Sequence, residues 1–231
     1  MSINKDNVLH VARALKDLKE EMVFIGGGVV ELLLDDDYEL STRVSKDVDT
    51  VVEVYGYGEF SKLEQRLRDL GFKNDINLIC RWQIDGILVD VMPTDEKILG
   101  FSNRWYKELY QNAQVYPLAK DASIRLVTAP YLLATKLEAF SDRGKQDYLG
   151  SHDLDDIVTL LDAREPLLSE IFNAEPRLQE YLRDKFKEVL TQPRFVASLA
   201  GHLSPYSDGL EVRKKRVLNV IDAVIEGRAN G

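Results

Sequence analysis

The apolar pattern of this chain changes period once, near residue 128, and that switch limits the folds open to it. Before it, short apolar runs of strand length alternate with stripes at helical spacing; after it, every apolar pattern is helical. Val8, Leu9, Val11, Ala12, Leu15 and Leu18 predict an amphipathic helix over 5–20. Met22-Val23-Phe24-Ile25 reads as a strand running into Gly26-Gly27-Gly28, with a helix following from Val29 to Leu34. The polar stretch from Asp35-Asp36-Asp37 through Lys46 reads as a loop with a solvated tip, and β-branched Val48 to Val54 as a strand. Phe60, Leu63, Leu67 and Leu70 form a helix stripe that Gly71 closes. Leu78 to Gln83 and Ile87 to Met92, joined by Asp85-Gly86, have the chemistry of a hairpin, and Ser123 to Val127 predicts a further strand. Helices are expected at 130–141, 153–163, 165–172, 175–190 and 207–226. No linker rich in Gly, Pro or Ser separates the halves. The expected fold class is therefore α/β (α+β): a mixed-sheet domain over 1–128, then a helical part over 129–231.

Charge and composition narrow the function. The formal net charge is −9 and the pI about 5.0, which counts against a generic nucleic-acid coat, whose affinity comes from neutralising phosphates. It leaves room for a local basic face and permits an enzyme with clustered carboxylates that a divalent cation neutralises in use. No apolar run approaches the ~20 residues that span a bilayer, and the opening Met-Ser-Ile-Asn-Lys-Asp-Asn lacks the apolar core of a secretory signal. Cys80 is the one cysteine, so an internal disulfide is out of reach. A soluble, cytoplasmic protein with no membrane partner is the expectation. His10 and His202 have no partners at ligand spacing, there is no Cys/His zinc pattern, and Cys80 reads as a buried strand residue.

Three features carry chemistry. Ile25-Gly26-Gly27-Gly28 is a strand ending in a glycine turn that opens a helix; backbone amides there suit a phosphate, although a tight turn alone would explain the same residues. In Lys46-Asp47-Val48-Asp49-Thr50, strand alternation places Asp47 and Asp49 on one face, where two close carboxylates call for a cation between them, or else mark a solvated strand start. Hard oxygen ligands at that spacing suit Mg2+. Asp90, inside the apolar run Ile87-Leu88-Val89-Asp90-Val91-Met92, is costly unless paired, protonated, metal-bound or on a wet face. A hairpin strand beside the Asp47–Asp49 strand would bring the three acids together.

In this order the features resemble the polymerase-β-like nucleotidyltransferase superfamily, and more narrowly the AbiEii-type nucleotidyltransferases found among abortive-infection toxins. The string Arg43-Val44-Ser45-Lys46-Asp47-Val48-Asp49 is similar to the Arg-x-Ser-x-Asp-x-Asp of that group. Lys136-Leu137-Glu138-Ala139, Arg143 and His152-Asp153-Leu154-Asp155-Asp156-Ile157 resemble its later motifs, so the likeness spans about residues 22–160. Gly28-Val29-Val30 stands where a small polar residue usually follows the glycine pair, and His152 where Arg or Lys is commoner.

The resemblance implies a nucleotidyltransferase core with two cations, Mg2+ or Mn2+, moving a nucleotide from an NTP to a hydroxyl. Gly26, Gly27, Ser45 and Lys46 would hold the triphosphate; Asp47, Asp49 and Asp90 would be the metal ligands; Lys136 would reach the phosphates or the acceptor. Arg43, Arg143, Asp153 and Asp156 would support these groups, the last two orienting Lys136 or Arg143 or capping their helix. The implied partners are an NTP, a tRNA or protein acceptor and a cognate antitoxin. Two alternatives keep parts of this: a small-molecule acceptor such as an aminoglycoside, favoured by the acidic pI, and a nucleotide-binding scaffold without turnover. The run Arg213-Lys214-Lys215-Arg216 reads as a solvated helix face and is the best candidate for an RNA backbone contact.

Overall fold

The apolar strands of the first half assemble into one mixed sheet of seven strands. The computed structural model describes residues 2–35, 43–143, 147–203 and 209–228. Two compact units divide the chain, Met1–Leu32 with Arg43–Thr128, and Leu33–Thr42 with Ala129–Gly231.

In the first unit, helix α1 (Ile3–Leu15) is capped by Ser2, whose side chain accepts from the Lys5 amide at 3.2 Å. A 3₁₀ turn over Lys16–Glu21 replaces the last turn expected of that helix and leads into β1 (Met22–Ile25). Every residue of β1 is buried, as a strand covered on both faces must be. The segment after the glycines is a 3₁₀ helix, Gly27–Leu33, rather than an α-helix. Two glycines followed by two β-branched valines are among the weakest α-formers, which accounts for the tighter turn.

Then come β2 (Asp47–Val52), α2 (Tyr57–Asp69), β3 (Lys73–Asn74), β4 (Arg81–Ile84), β5 (Ile87–Pro93), α3 (Glu96–Leu99), α4 (Tyr106–Gln111), β6 (Gln114–Ala119) and β7 (Ala122–Leu126). The sheet order is β3-β4-β5-β2-β1-β7-β6. At its centre β2 pairs antiparallel with β1 and parallel with β5, while β4 and β5 form the hairpin. Asp85 and Gly86 both have positive φ, 47° and 86°, the backbone that a two-residue hairpin turn demands. β4 begins at Arg81 because Leu78 and Ile79 are exposed in a turn closed by Arg81 N–H to the Leu78 carbonyl at 2.9 Å. Cys80 is buried in that turn, just ahead of the strand, and burial raises its thiol pKa. β6 left no apolar alternation because only Leu118 in it is buried; it is an edge strand, where Pro117 is tolerated.

In the second unit, α5 (Ala129–Arg143), α6 (His152–Ala163), α7 (Leu167–Phe172), α8 (Pro176–Leu190), α9 (Pro193–His202) and α10 (Leu210–Glu226) surround Leu132, Leu133, Leu154, Leu160, Leu182 and Ile221, all fully buried. α9 is absent from the expected helices, and its buried face is short: Phe195, Ser198 and Leu199. Two polar readings change here. Asp35 is no free loop tip, since its amide donates to the Ala163 carbonyl at 3.2 Å and its carboxylate accepts from the Glu165 amide at 2.7 Å; Asp36 and Asp37 lie outside the described residues. Nor is the basic run a uniformly solvated face. Arg213 is buried, its Nε donating to Asp162 at 2.7 Å, and Arg216 donates to the same carboxylate at 3.1 Å. One turn apart on α10, the two arginines neutralise an acid that has no exposed side-chain surface.

Candidate active site

Strand register builds the site. Asp49 on β2 lies directly beside Asp90 on β5, and Asp47, two residues earlier, shares the same face. One carboxylate oxygen from each of the three lies within 4.8 Å of the others, and all three residues are partly exposed. β1 closes the other side of β2, pairing Ile25 with Asp49. Just beyond it Gly26 turns at φ +80°, and a Cβ there would stand 1.9 Å from an Asp49 carboxylate oxygen. The glycine is thus required twice over: once by the backbone conformation, once by the space Asp49 fills.

The approach to Asp47 is fastened from α1. Buried Asn4 donates to the Arg43 carbonyl at 2.8 Å and accepts from the Ser45 amide at 2.9 Å, and the Ser45 hydroxyl donates to Asp47 at 3.3 Å. Lys46, between them, is exposed.

A cation already sits among the acids. Arg81 on β4 lies directly opposite Asp90. Its Nε and Nη2 donate to the two Asp90 oxygens at 2.8 and 2.7 Å, and Nη2 also reaches Asp47 at 3.2 Å. The Asp90 hydrogen bond raises the guanidinium pKa further, against partial burial, with the charges of Asp90 and Asp47 adding to it. Three carboxylates against one guanidinium leave a formal charge of −2 on these four side chains. Hard oxygen donors gathered on one partly exposed face, with a glycine making room for one of them, fit a divalent cation of the Mg2+ type.

Of the residues expected at a site, Asp47, Asp49, Asp90, Gly26 and Ser45 come together in the sheet unit; Gly27 opens the 3₁₀ helix and Arg43 contributes its carbonyl to the Asn4 clasp. Lys136, Asp153 and Asp156 come together in the helical unit. There the Lys136 ammonium bridges Asp153 at 3.2 Å and Asp156 at 2.7 Å, and all three residues are buried. The α6 cap belongs to Ser151, which accepts from the Leu154 amide, so the two acids serve Lys136 instead. Arg143 ends α5, and its side chain lies outside the described residues. Two residues escaped the sequence reading. Asn4 left no signal. Arg81 did: counting outward from Asp85-Gly86 pairs it with Asp90.

The sequence matches, over residues 10–204, the family described as "Nucleotidyl transferase AbiEii toxin, Type IV TA system". Two solved structures share the fold. One is an antigenic nucleotidyltransferase-like protein from Paracoccidioides brasiliensis, 19% identical, covering 86% of this chain and 92% of its own at a TM-score of 0.50. The other is JHP933 from Helicobacter pylori, 16% identical, covering 99% of this chain and 94% of its own at a TM-score of 0.51. No curated protein matches the sequence.

Proposed function

The chain belongs to the AbiEii family of nucleotidyl transferase toxins of type IV toxin–antitoxin systems, and from that membership we propose that it transfers an NMP from an NTP to a hydroxyl acceptor at the Asp47–Asp49–Asp90 cluster. The observation that carries this reading is the convergence of three carboxylates from two neighbouring strands to within 4.8 Å. In the reaction the acceptor oxygen bonds to the α-phosphorus, the bond from that phosphorus to the bridging oxygen breaks, and pyrophosphate leaves with the electron pair. Asp47 and Asp49 would hold the divalent cations, Mg2+ or Mn2+, and Asp90 would complete the ligand set and take up the hydroxyl proton. Bound there, such cations would supply charge neutralisation of the triphosphate and of the leaving pyrophosphate. Gly26, Gly27, Ser45 and Lys46 face the phosphates in this reading. In the helical unit Lys136, its ammonium held by Asp153 and Asp156, is a proposed ligand for a phosphate or the acceptor.

The acceptor is a tRNA or a protein, the working location the cytoplasm, and a cognate antitoxin the regulating partner. Among the described residues no helix is long and apolar enough to cross a membrane. A cationic small molecule is the second reading for the acceptor. The engagement of Arg213 and Arg216 by Asp162 favours it, since two of the four basic residues are already paired within the protein, Arg213 buried and Arg216 half-exposed. Incubation with each α-labelled NTP, Mg2+ or Mn2+, and total tRNA, cell protein or an aminoglycoside panel tests the assignment. Label transferred to one acceptor class, and lost in Asp47→Ala and Asp49→Ala, identifies activity and acceptor. No transfer and no cation-dependent NTP binding leaves a scaffold without turnover.

A further inference from the structure

We infer that Arg81 is a positioning residue that stands in for a divalent cation, holding the acid cluster together in the metal-free protein and giving way when metal binds. The inference rests on the proposed metal site and adds a residue to it.

Three observations converge on Arg81. Register fixes it opposite Asp90, so its approach does not depend on a chance rotamer of a distant loop. It is bidentate to Asp90 and also reaches Asp47, joining an acid of β5 to one of β2 as a bridging cation would. And its side chain is 25% exposed, with those of Asp47 and Asp90 at 26% and 15%, so the guanidinium has a solvent-facing path by which to leave.

The charges require some such device. Three carboxylates within 4.8 Å repel each other, and without a cation the pairing of β2 with β5 would carry that repulsion. A guanidinium and a divalent ion on the same Asp90 oxygens would repel in turn. The two states therefore exclude each other: Arg81 on Asp90 and Asp47, or metal on them. Metal binding to the wild-type protein then includes the cost of displacing a bidentate guanidinium.

Calorimetric titration of the full chain with Mn2+, without nucleotide, reads this directly. Arg81→Gln is expected to bind Mn2+ more tightly than wild type, by about tenfold, because hydrogen bonds to charged groups no longer have to be broken. Its melting temperature is expected to fall without metal and to rise further on adding Mn2+ than that of wild type. A merely structural arginine would lower the melting temperature with no gain in affinity. Arg81→Lys keeps the charge but not the fork, so it should lie between the two, and it carries the comparison if Arg81→Gln does not fold. Wild-type binding with equal or weaker binding in both variants overturns the role of Arg81 and leaves the metal site standing. If no protein in the set binds Mn2+, the cluster is no metal site and both readings fall together.

Discussion

Substituting Gly26 by alanine should damage the site far more than the fold, and the geometry says by how much. The added Cβ would lie 1.9 Å from Asp49 Oδ2, 2.7 Å from its Cγ and 2.8 Å from its Cβ, whereas ordinary contact begins at 3.4 Å. The carboxylate would therefore have to retreat by roughly 1.5 Å, the difference between the first and last of these distances, on a scale where about 1 Å of misplacement costs ~100-fold in rate. Rotating the side chain alone does not relieve the clash, because the Asp49 Cβ is itself too close. β2 cannot slide away either, being hydrogen-bonded to β1 on one side and β5 on the other. Alanine at φ +80° adds backbone strain of about 1–2 kcal/mol, or about 5 °C in melting temperature for a chain of this size.

Gly100→Ala isolates the strain. Its φ is +77°, nearly that of Gly26, yet nothing lies within 4 Å of its Cβ position. Both variants should lose a few degrees in a thermal melt, while only Gly26→Ala loses transfer activity, by about 100-fold, together with most of its Mn2+ affinity. Equal loss of stability in the two variants, with activity and Mn2+ binding intact in Gly26→Ala, would refute the wedging of Asp49 against the turn.

Three further outcomes follow from buried charge. Lys136→Met strands two buried acids, Asp153 and Asp156, and should cost about 3–5 kcal/mol in urea unfolding; adding Asp153→Asn and Asp156→Asn should recover part of it, and an unchanged midpoint in the single variant would contradict the bridge. Asp162→Asn, which leaves Arg213 buried beside a neutral partner, should destabilise the chain by about 3 kcal/mol in the same assay, whereas neutralising Lys215, exposed on the same helix, should change little. Burial works against protonating His202, but its contacts to Asp155 and the Tyr148 carbonyl, with the charges of Asp155 and Asp147, outweigh it and raise its pKa. That stabilisation is fully present below the unfolded value of about 6.5 and is lost as pH rises through the folded one, so His202→Gln should flatten the stability–pH curve over that interval. A curve with the same slope in His202→Gln would rule the residue out as its source.

The acids were legible in the sequence because strand alternation is strict. Two aspartates one residue apart must share a face, and one aspartate inside Ile87–Met92 must have a reason to be there. What the sequence did not state was register. That Asp49 lies beside Asp90 rather than Leu88 follows from the β2–β5 pairing, a parallel contact between segments forty residues apart that no local pattern encodes. The hairpin register of Arg81 with Asp90 was local and countable from the turn. Gly26 was legible as a turn residue, but the stronger demand on it comes from Asp49 on the neighbouring strand. The clasp from Asn4 joins a helix start to a strand approach, and an asparagine in an amphipathic helix gives no hint of such a partner. β6 and α9 stayed hidden for a plainer reason: each buries too little to print a period.

Gly26 and Arg81 solve two halves of one problem, and their substitutions should move the same observable in opposite directions. A cluster of acids needs room for its oxygens and a positive charge among them. Gly26 makes the room, so filling it should weaken Mn2+ binding; Arg81 lends the charge, so removing it should strengthen binding. A general loss of packing would weaken binding in both. The two residues flank the cluster from β1 and β4, but the acids they act on, Asp49 for Gly26 and Asp90 with Asp47 for Arg81, are neighbours in one cluster, so their effects should couple rather than add in Gly26→Ala/Arg81→Gln. The size of that coupling measures how far a displaced Asp49 disturbs Asp90. A double variant that binds Mn2+ as poorly as Gly26→Ala alone would mean that Asp49 must be in place before the release of Arg81 counts.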